Sequence, residues 1–209
     1  THQTELQQQA DSAVEAAEGQ GGGQYVFFAR EMGEAIRRRL DLKRDLQRAW
    51  DQEEFLLHFQ PLYRLSDHAL MGAEALMRWQ DPEQGMRSPG EFIPLVEETG
   101  LIVPMGRWAM EAGCREVRDW SQATVPLYLS VNVSPRQLQE PGFVDQVAEV
   151  LRQTGLPPRQ LTLEVTESIA MAVEEEGTRL LHQLRNLGVR IAVDDFGTGY
   201  SSLSYLKNL

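Results

Sequence analysis

Apolar and polar positions settle into a sustained alternation of strands and helices from residue 55 onward. Phe55-Leu56-Leu57-His58-Phe59-Gln60-Pro61 reads as a first strand and Ala69 to Trp79 as a second, with Tyr63 to His68 as the polar turn between them. Gly90 to Glu98 and Pro104 to Ser121 keep a helical period, the second placing Met105, Ala109, Ala112, Gly113, Val117 and Trp120 on one face. Leu127 to Val133 is the next strand. Phe143 to Thr154 is the next helix, with Phe143, Val144, Val147, Ala148 and Leu151 as its core stripe and Gly155 as its stop. Leu161 to Glu167 reads as a strand, Glu174 to Leu187 as a helix stopped by Gly188, and Val189 to Val193 as a short β-branched strand. Strands alternating with helices predict a parallel sheet.

The chain before residue 55 has a different character. Glu5 to Glu18 is polar and helix-prone, Gly19 to Gln24 breaks that pattern, and Tyr25-Val26-Phe27-Phe28 is strand-like. Glu31 to Asp51 reads as a charged, solvated connecting helix with a loose stripe of Met32, Ile36, Leu40, Leu46 and Trp50. A boundary is expected near Gln52 to Glu54.

Spacing narrows the parallel-sheet folds. A (β/α)₈ barrel of about 250 residues repeats roughly every 30 residues. Asn132, Glu164 and Asp194 step at about that interval, and the longer gap from Glu74 to Asn132 is filled by the extra helix around Phe92 to Glu98. A barrel begun near Phe55 runs on to about residue 300, so about five of its eight strands are expected in this chain.

Side chains alternate faces along a strand, which makes the chemistry readable by parity. Glu74, Leu76 and Arg78 share one face of the second strand. Tyr128, Ser130 and Asn132 share a face of the next, as do Thr162, Glu164 and Thr166, and then Arg190, Ala192 and Asp194, with branched aliphatics opposite each time. Each polar face thus brings an oxygen ligand toward the C-terminal end of its strand, where such barrels place their active sites. An isolated Asp-Asp pair is most often an exposed turn, but Asp194 and Asp195 follow three other strands with the same bias. Adjacent carboxylates stay ionised cheaply only beside a cation, and hard oxygen donors suit Mg²⁺ or Mn²⁺.

Composition changes the picture little. Hydrophobic residues make up 42% of the 209, enough for a sizeable core. The net charge of −11 argues against nucleic-acid polymers as partners, though not against a small phosphorylated ligand carried with cations. The single cysteine, Cys114, rules out an intrachain disulfide and fits a reducing, cytoplasmic location. No apolar run approaches the about 20 residues of a membrane helix, so this segment is expected to make no membrane contact, whatever tethers its parent. Asp195-Phe196-Gly197 lacks the kinase motifs that would accompany it, Gly197-Thr198-Gly199 lacks a P-loop lysine, and His2, His58, His68 and His182 lack zinc spacing.

A family resemblance rests on these same segments. Phe59-Gln60-Pro61-Leu62, Ala73-Glu74-Ala75-Leu76-Met77-Arg78-Trp79, Ser88 to Pro94, Glu97 to Ile102, Ser130 to Ser134, Leu163 to Ser168 and Asp194 to Leu203 occur in the order of the EAL family of cyclic di-GMP phosphodiesterases. The resemblance implies a TIM-like barrel with an antiparallel first strand and hydrolysis of cyclic di-GMP to linear pGpG with two Mg²⁺ or Mn²⁺ ions. Carried onto matching positions, it implies Glu74, Asn132, Glu164, Asp194 and Asp195 as metal ligands. It gives Glu74, Asp194, Asp195 and Glu167 catalytic roles, Glu167 by holding the loop Phe196 to Ser202. Gln60, Leu76 and Arg78 would contact the ligand, Arg78 offering a fork suited to phosphate.

The same resemblance sets the expected organisation. Residues 1–29 are similar to the tail of a degenerate GGDEF-like domain, 30–53 form the connecting helix, and 54–209 are the N-terminal portion of the EAL domain. The family's lysine on the next strand, a further acidic pair and a late glutamate would fall beyond Leu209, so the stretch alone is expected to be inactive. Association as a homodimer through the barrel is also expected. The competing reading is a catalytically inactive cyclic di-GMP receptor. Receptors of this family typically lose metal ligands, whereas those visible here are intact.

Overall fold

The computed structural model describes residues 10, 14, 30–123, 125–166 and 175–194. Apart from Ala10 and Val14, the segment read above as a GGDEF-like tail lies outside the described residues, as do Glu167, Asp195 and the loop Phe196 to Ser202. The chain divides into two compact units, Thr1–Gln52 and Glu53–Leu209. In the first, helix α1 spans Arg30–Asp51. Leu46 is fully buried while Leu40 is 59% exposed, so the predicted stripe is not covered as one surface.

The second unit is built on a sheet with the strand order β1-β2-β4-β5-β6. Strand β1 (Phe55–Tyr63) runs antiparallel to β2 (Leu70–Asp81). The short β3 (Gly85–Arg87) forms a hairpin on the end of β2. Strands β4 (Tyr128–Asn132), β5 (Leu161–Thr166) and β6 (Arg190–Asp194) then pair parallel in sequence from β2. Helices α2 (Pro89–Thr99) and α3 (Ile102–Ala123) connect β3 to β4. Helices α4 (Pro135–Leu138) and α5 (Phe143–Thr154) connect β4 to β5, and α6 (Glu175–Asn186) connects β5 to β6. The antiparallel first pair followed by β/α units is the predicted start of a TIM-like barrel.

Burial explains why one face of each strand is aliphatic. Leu129, Val131, Leu161, Leu163 and Val165 form one buried cluster with Cys114 and Val117 of α3, Val147, Val150 and Leu151 of α5, and Leu181 and Leu184 of α6. Each side chain so buried contributes roughly 1.5–3 kcal/mol. A smaller aromatic cluster brings together Phe55, Trp79 and Phe92, with ring centroids 5.5 to 5.9 Å apart and two of the three pairs edge-on. Trp79 also donates its indole N–H to Glu54 Oε2 at 2.9 Å, so its polar handle is satisfied.

Two of the helices that lead into strands stop where glycine permits a left-handed residue. Gly155 (φ 75°) donates its N–H to Leu151 O at 2.9 Å, and Gly188 (φ 94°) to Arg185 O at 2.9 Å. Both turns feed straight into the approach to a strand, which fixes where β5 and β6 enter the sheet. Gly72 matters for a different reason. A Cβ there would lie 2.1 Å from the Tyr128 carbonyl oxygen, so close approach of β2 and β4 requires its absence.

The β3 hairpin and α4 were not predicted. Asp81 builds the hairpin turn, accepting from the Glu83 and Gln84 amides at 2.8 and 3.0 Å and from Arg87 Nε and Nη2 at 2.9 and 2.8 Å. Helix α4 is one turn closed by a capping box between Ser134 and Gln137. Among the described residues, no helix is long and apolar enough to cross a membrane.

Candidate active site

The sheet register decides which polar side chains share a face. Gln60 stands opposite Glu74, and Glu74 is level with Ser130. Asn132 is level with Glu164, and Asp194 with Thr166. From Glu74 to Asp194 the ladder therefore climbs two residues between β2 and β4, none between β4 and β5, and two between β5 and β6. Tilted strands in a barrel need such a stagger, close to one residue per strand, for groups on different strands to reach one rim. Four residues far apart in sequence are thus carried toward the same end of the sheet by strand direction and shear together.

Contacts knit this face. Asn132 donates from Nδ2 to Glu74 Oε1 at 2.7 Å. Ser130, 2% exposed, donates from its hydroxyl to Glu164 Oε1. Strand β4 therefore reaches in both directions, holding one carboxylate on each neighbour. Below them, Arg190 lies over the Tyr128 ring at 4.2 Å, closing the lower end of the polar face.

Burial pushes the Glu164 carboxyl above the ordinary glutamate value. The Ser130 bond opposes that shift, while the charges of Glu74 and Asp194 add to it. Glu164 thus lies in the field of two other carboxylates. Among the described residues no three acidic, histidine or cysteine side chains converge on a single point; Asp195 lies outside them, and the Asn132 amide is a further oxygen donor on the same face. Three carboxylates and an amide oxygen are the hard donors that Mg²⁺ or Mn²⁺ take, and a cation offsets their repulsion. In donor chemistry, the residues on this face suit a divalent metal.

The residues expected to touch a ligand line the β1–β2 side of the same face. Gln60 is exposed; Leu76 and Arg78 are half-buried, opposite His58 and Leu56 respectively. Arg78 donates from Nη1 to the Met77 carbonyl at 2.8 Å, which anchors one corner of its guanidinium on its own strand. Glu74, Asn132, Glu164 and Asp194 are brought together with them on one face. Parity reasoning placed Ser130, Tyr128 and Arg190 on the face without giving any of them a task. Their contacts cross strands and depend on register, which no local pattern specifies.

Known proteins share this chain's sequence pattern and its fold. The family model described as EAL domain matches residues 43–209. An uncharacterized signaling protein of Caulobacter vibrioides is 45% identical over 97% of the chain and 25% of its own length. The bifunctional diguanylate cyclase/cyclic di-GMP phosphodiesterase MucR of Pseudomonas aeruginosa is 42% identical over 98% of the chain and 30% of its own length. The chain therefore spans between a quarter and a third of these curated relatives. A solved structure of the MucR phosphodiesterase in complex with c-di-GMP superposes with a TM-score of 0.77 at 43% identity, covering 81% of this chain and 69% of that one.

Proposed function

This chain belongs to the EAL domain family, and on that premise we propose that it supplies metal-holding and ligand-contacting residues of a phosphodiesterase that opens cyclic di-GMP to linear pGpG. The observation that carries the reading is the delivery of Glu74, Asn132, Glu164 and Asp194 by four different strands to one face of the sheet. A scatter of surface carboxylates has no reason to follow strand parity and barrel stagger at once.

The chemistry follows from charge. Cyclic di-GMP is a dianion, and bare carboxylates would repel it. Glu74, Asn132, Glu164 and Asp194, joined by Asp195, would hold two Mg²⁺ or Mn²⁺ ions at the site. Bound there, the cations supply positive charge for a phosphate oxygen, a lowered pKa for the attacking water and stabilisation for the leaving oxygen. Water adds to phosphorus as the P–O3′ bond breaks, and the freed ribose oxygen is protonated, giving a linear dinucleotide with a 5′-phosphate. Arg78, held by its Nη1 contact with Met77, keeps further N–H donors for the phosphate. Gln60 and Leu76 line the adjoining wall, and Glu167 would hold the loop that follows Asp195.

The test uses the full-length protein. It is incubated with cyclic di-GMP and Mg²⁺ or Mn²⁺, and pGpG is followed by chromatography while binding is titrated separately with Ca²⁺ present. Turnover with either activating metal supports the proposal. Tight binding without pGpG under any cation replaces it with the receptor reading. Association as a homodimer through the barrel belongs to the same proposal, and light scattering on that protein checks it.

A further inference from the structure

We propose that Ser130 is a positioning residue that aims the Glu164 carboxylate toward the bound cation. This deepens the reading above and rests on it, since it takes Glu164 as a metal ligand. Three observations converge. Ser130 lies on the polar face of β4, level with Glu74 on one side and Thr162 on the other. It is 2% exposed, so its hydroxyl has no bulk water to bond. Its hydrogen goes to Glu164 Oε1, which lies two residues further along β5 than its level partner Thr162.

The chemistry of the donor explains the choice of serine. Glu164 is partly desolvated and faces the charges of Glu74 and Asp194. An Arg or Lys in this place would hold the carboxylate firmly but neutralise the charge that a cation needs. A hydroxyl fixes Oε1 while leaving the net charge intact and Oε2 able to meet a metal. Asn132 takes the corresponding part toward Glu74, occupying Oε1 of that carboxylate. The two differ in one respect. Asn132 carries an amide oxygen that can itself ligate, whereas Ser130 lies deeper on the strand and acts through Glu164. Outer hydrogen bonds to ligating carboxylates typically contribute 10–100-fold to metal affinity.

The experiment is a double-mutant cycle in the full-length protein, with Mn²⁺ affinity measured by titration in the absence of nucleotide and melting recorded in EDTA. Ser130→Ala should weaken Mn²⁺ binding by about 10-fold or more while the metal-free protein still melts in one cooperative transition, lowered by no more than the loss of one buried hydrogen bond. Ser130→Thr, which keeps the hydroxyl, should restore most of the affinity. In a Glu164→Gln background Ser130→Ala should have little further effect, because the group it acts through has gone. Weak binding in Glu164→Gln with unchanged binding in Ser130→Ala would overturn the role of Ser130 alone. Unchanged binding in Glu164→Gln would overturn the role of Glu164 and this inference with it. Equal loss from Ser130→Ala in both backgrounds would show a general packing effect and overturn the proposal as well.

Discussion

Asn132 at the end of β4 hydrogen-bonds Glu74 on β2 at 2.7 Å across 58 residues of sequence. The parallel pairing of β2 with β4 makes that contact possible, and it brings a carboxylate and an amide to one place from two different β/α units. Glu74 is only half-buried and belongs to no part of the aliphatic core. Charge, not packing, is what it contributes. Glu74→Gln in the full-length protein should therefore lower cyclic di-GMP turnover by about 10³-fold, the size of a several-kcal/mol loss of charge stabilisation. Its melting temperature in EDTA should stay within about 2 °C of the wild type. Parallel measurement of pGpG formation and thermal melting decides it, and equal turnover by mutant and wild type would sink the assignment.

Gly72→Ala tests the close approach beneath the site. The added Cβ would sit 2.1 Å from Tyr128 O, a backbone atom of the neighbouring strand that cannot step aside. Overpacking of this kind costs about 3 kcal/mol or more. Gly106→Ala should cost less. Its Cβ would meet the side chain of Gln137 at 2.0 Å, which can move at the expense of its capping box with Ser134. Urea unfolding of the two variants should rank them in that order, and the reverse order would show that β2 and β4 can separate more easily than α4 can shift.

The Asp81–Arg87 pair gives a stability prediction with a definite pH sign. Burial alone would raise the Asp81 carboxyl, but the Glu83 amide, Arg87 and the Gln84 amide outweigh it and hold the group below the ordinary aspartate value. A carboxyl depressed in the folded state adds stability above its unfolded pKa and loses it as pH falls through the folded one. Asp81→Asn should thus destabilise the protein by about 2 kcal/mol at pH 7, leaving Arg87 without the charged oxygen that its Nε and Nη2 share. The gap between mutant and wild type should close progressively below about pH 4. Unfolding curves at pH 7 and pH 3 check it, and a gap that does not change with pH would show that charge is not what Asp81 contributes.

What was legible in the sequence was whatever repeats along a strand or helix. The alternation in Leu161 to Thr166 was plain because Leu161, Leu163 and Val165 are buried by helices on one side only. The bounds of α5 were legible because a glycine ends it in a left-handed turn. The β3 hairpin was not, since three residues carry no period and the turn is made by one side chain, Asp81, whose partners are local amides and Arg87. Helix α4 did leave a signal, the Ser134-Pro135-Arg136-Gln137 spacing of a capping box, but a single turn has no apolar stripe to confirm it. At the site, parity gave the polar face and put Glu74, Asn132, Glu164 and Asp194 on it. It could not give the Ser130–Glu164 bond or the Arg190–Tyr128 stack, because both depend on how far each strand is slid along its neighbour.

The crowding of carboxylates around Glu164 leads to the last prediction, in which one substitution should act in opposite directions. Burial and the neighbouring charges of Glu74 and Asp194 raise the Glu164 carboxyl. A group raised in the folded state contributes stability fully present below its unfolded pKa and lost as pH rises through the folded one. At neutral pH without metal, ionised Glu164 is therefore a cost to the fold. Glu164→Gln removes that charge at nearly constant shape, so the metal-free variant should melt roughly 2 °C higher than wild type at pH 7.5, with the difference vanishing near pH 4. Adding Mg²⁺ should reverse the ranking. A ligand at 100 times its Kd stabilises a protein by about 2.7 kcal/mol, and only the wild type should gain that amount. Melting curves in EDTA and in saturating Mg²⁺ at pH 7.5 supply both comparisons. A variant that is less stable than wild type in EDTA would show that Ser130 and the surrounding dipoles already satisfy Glu164, and equal stabilisation of both proteins by Mg²⁺ would place the cation elsewhere.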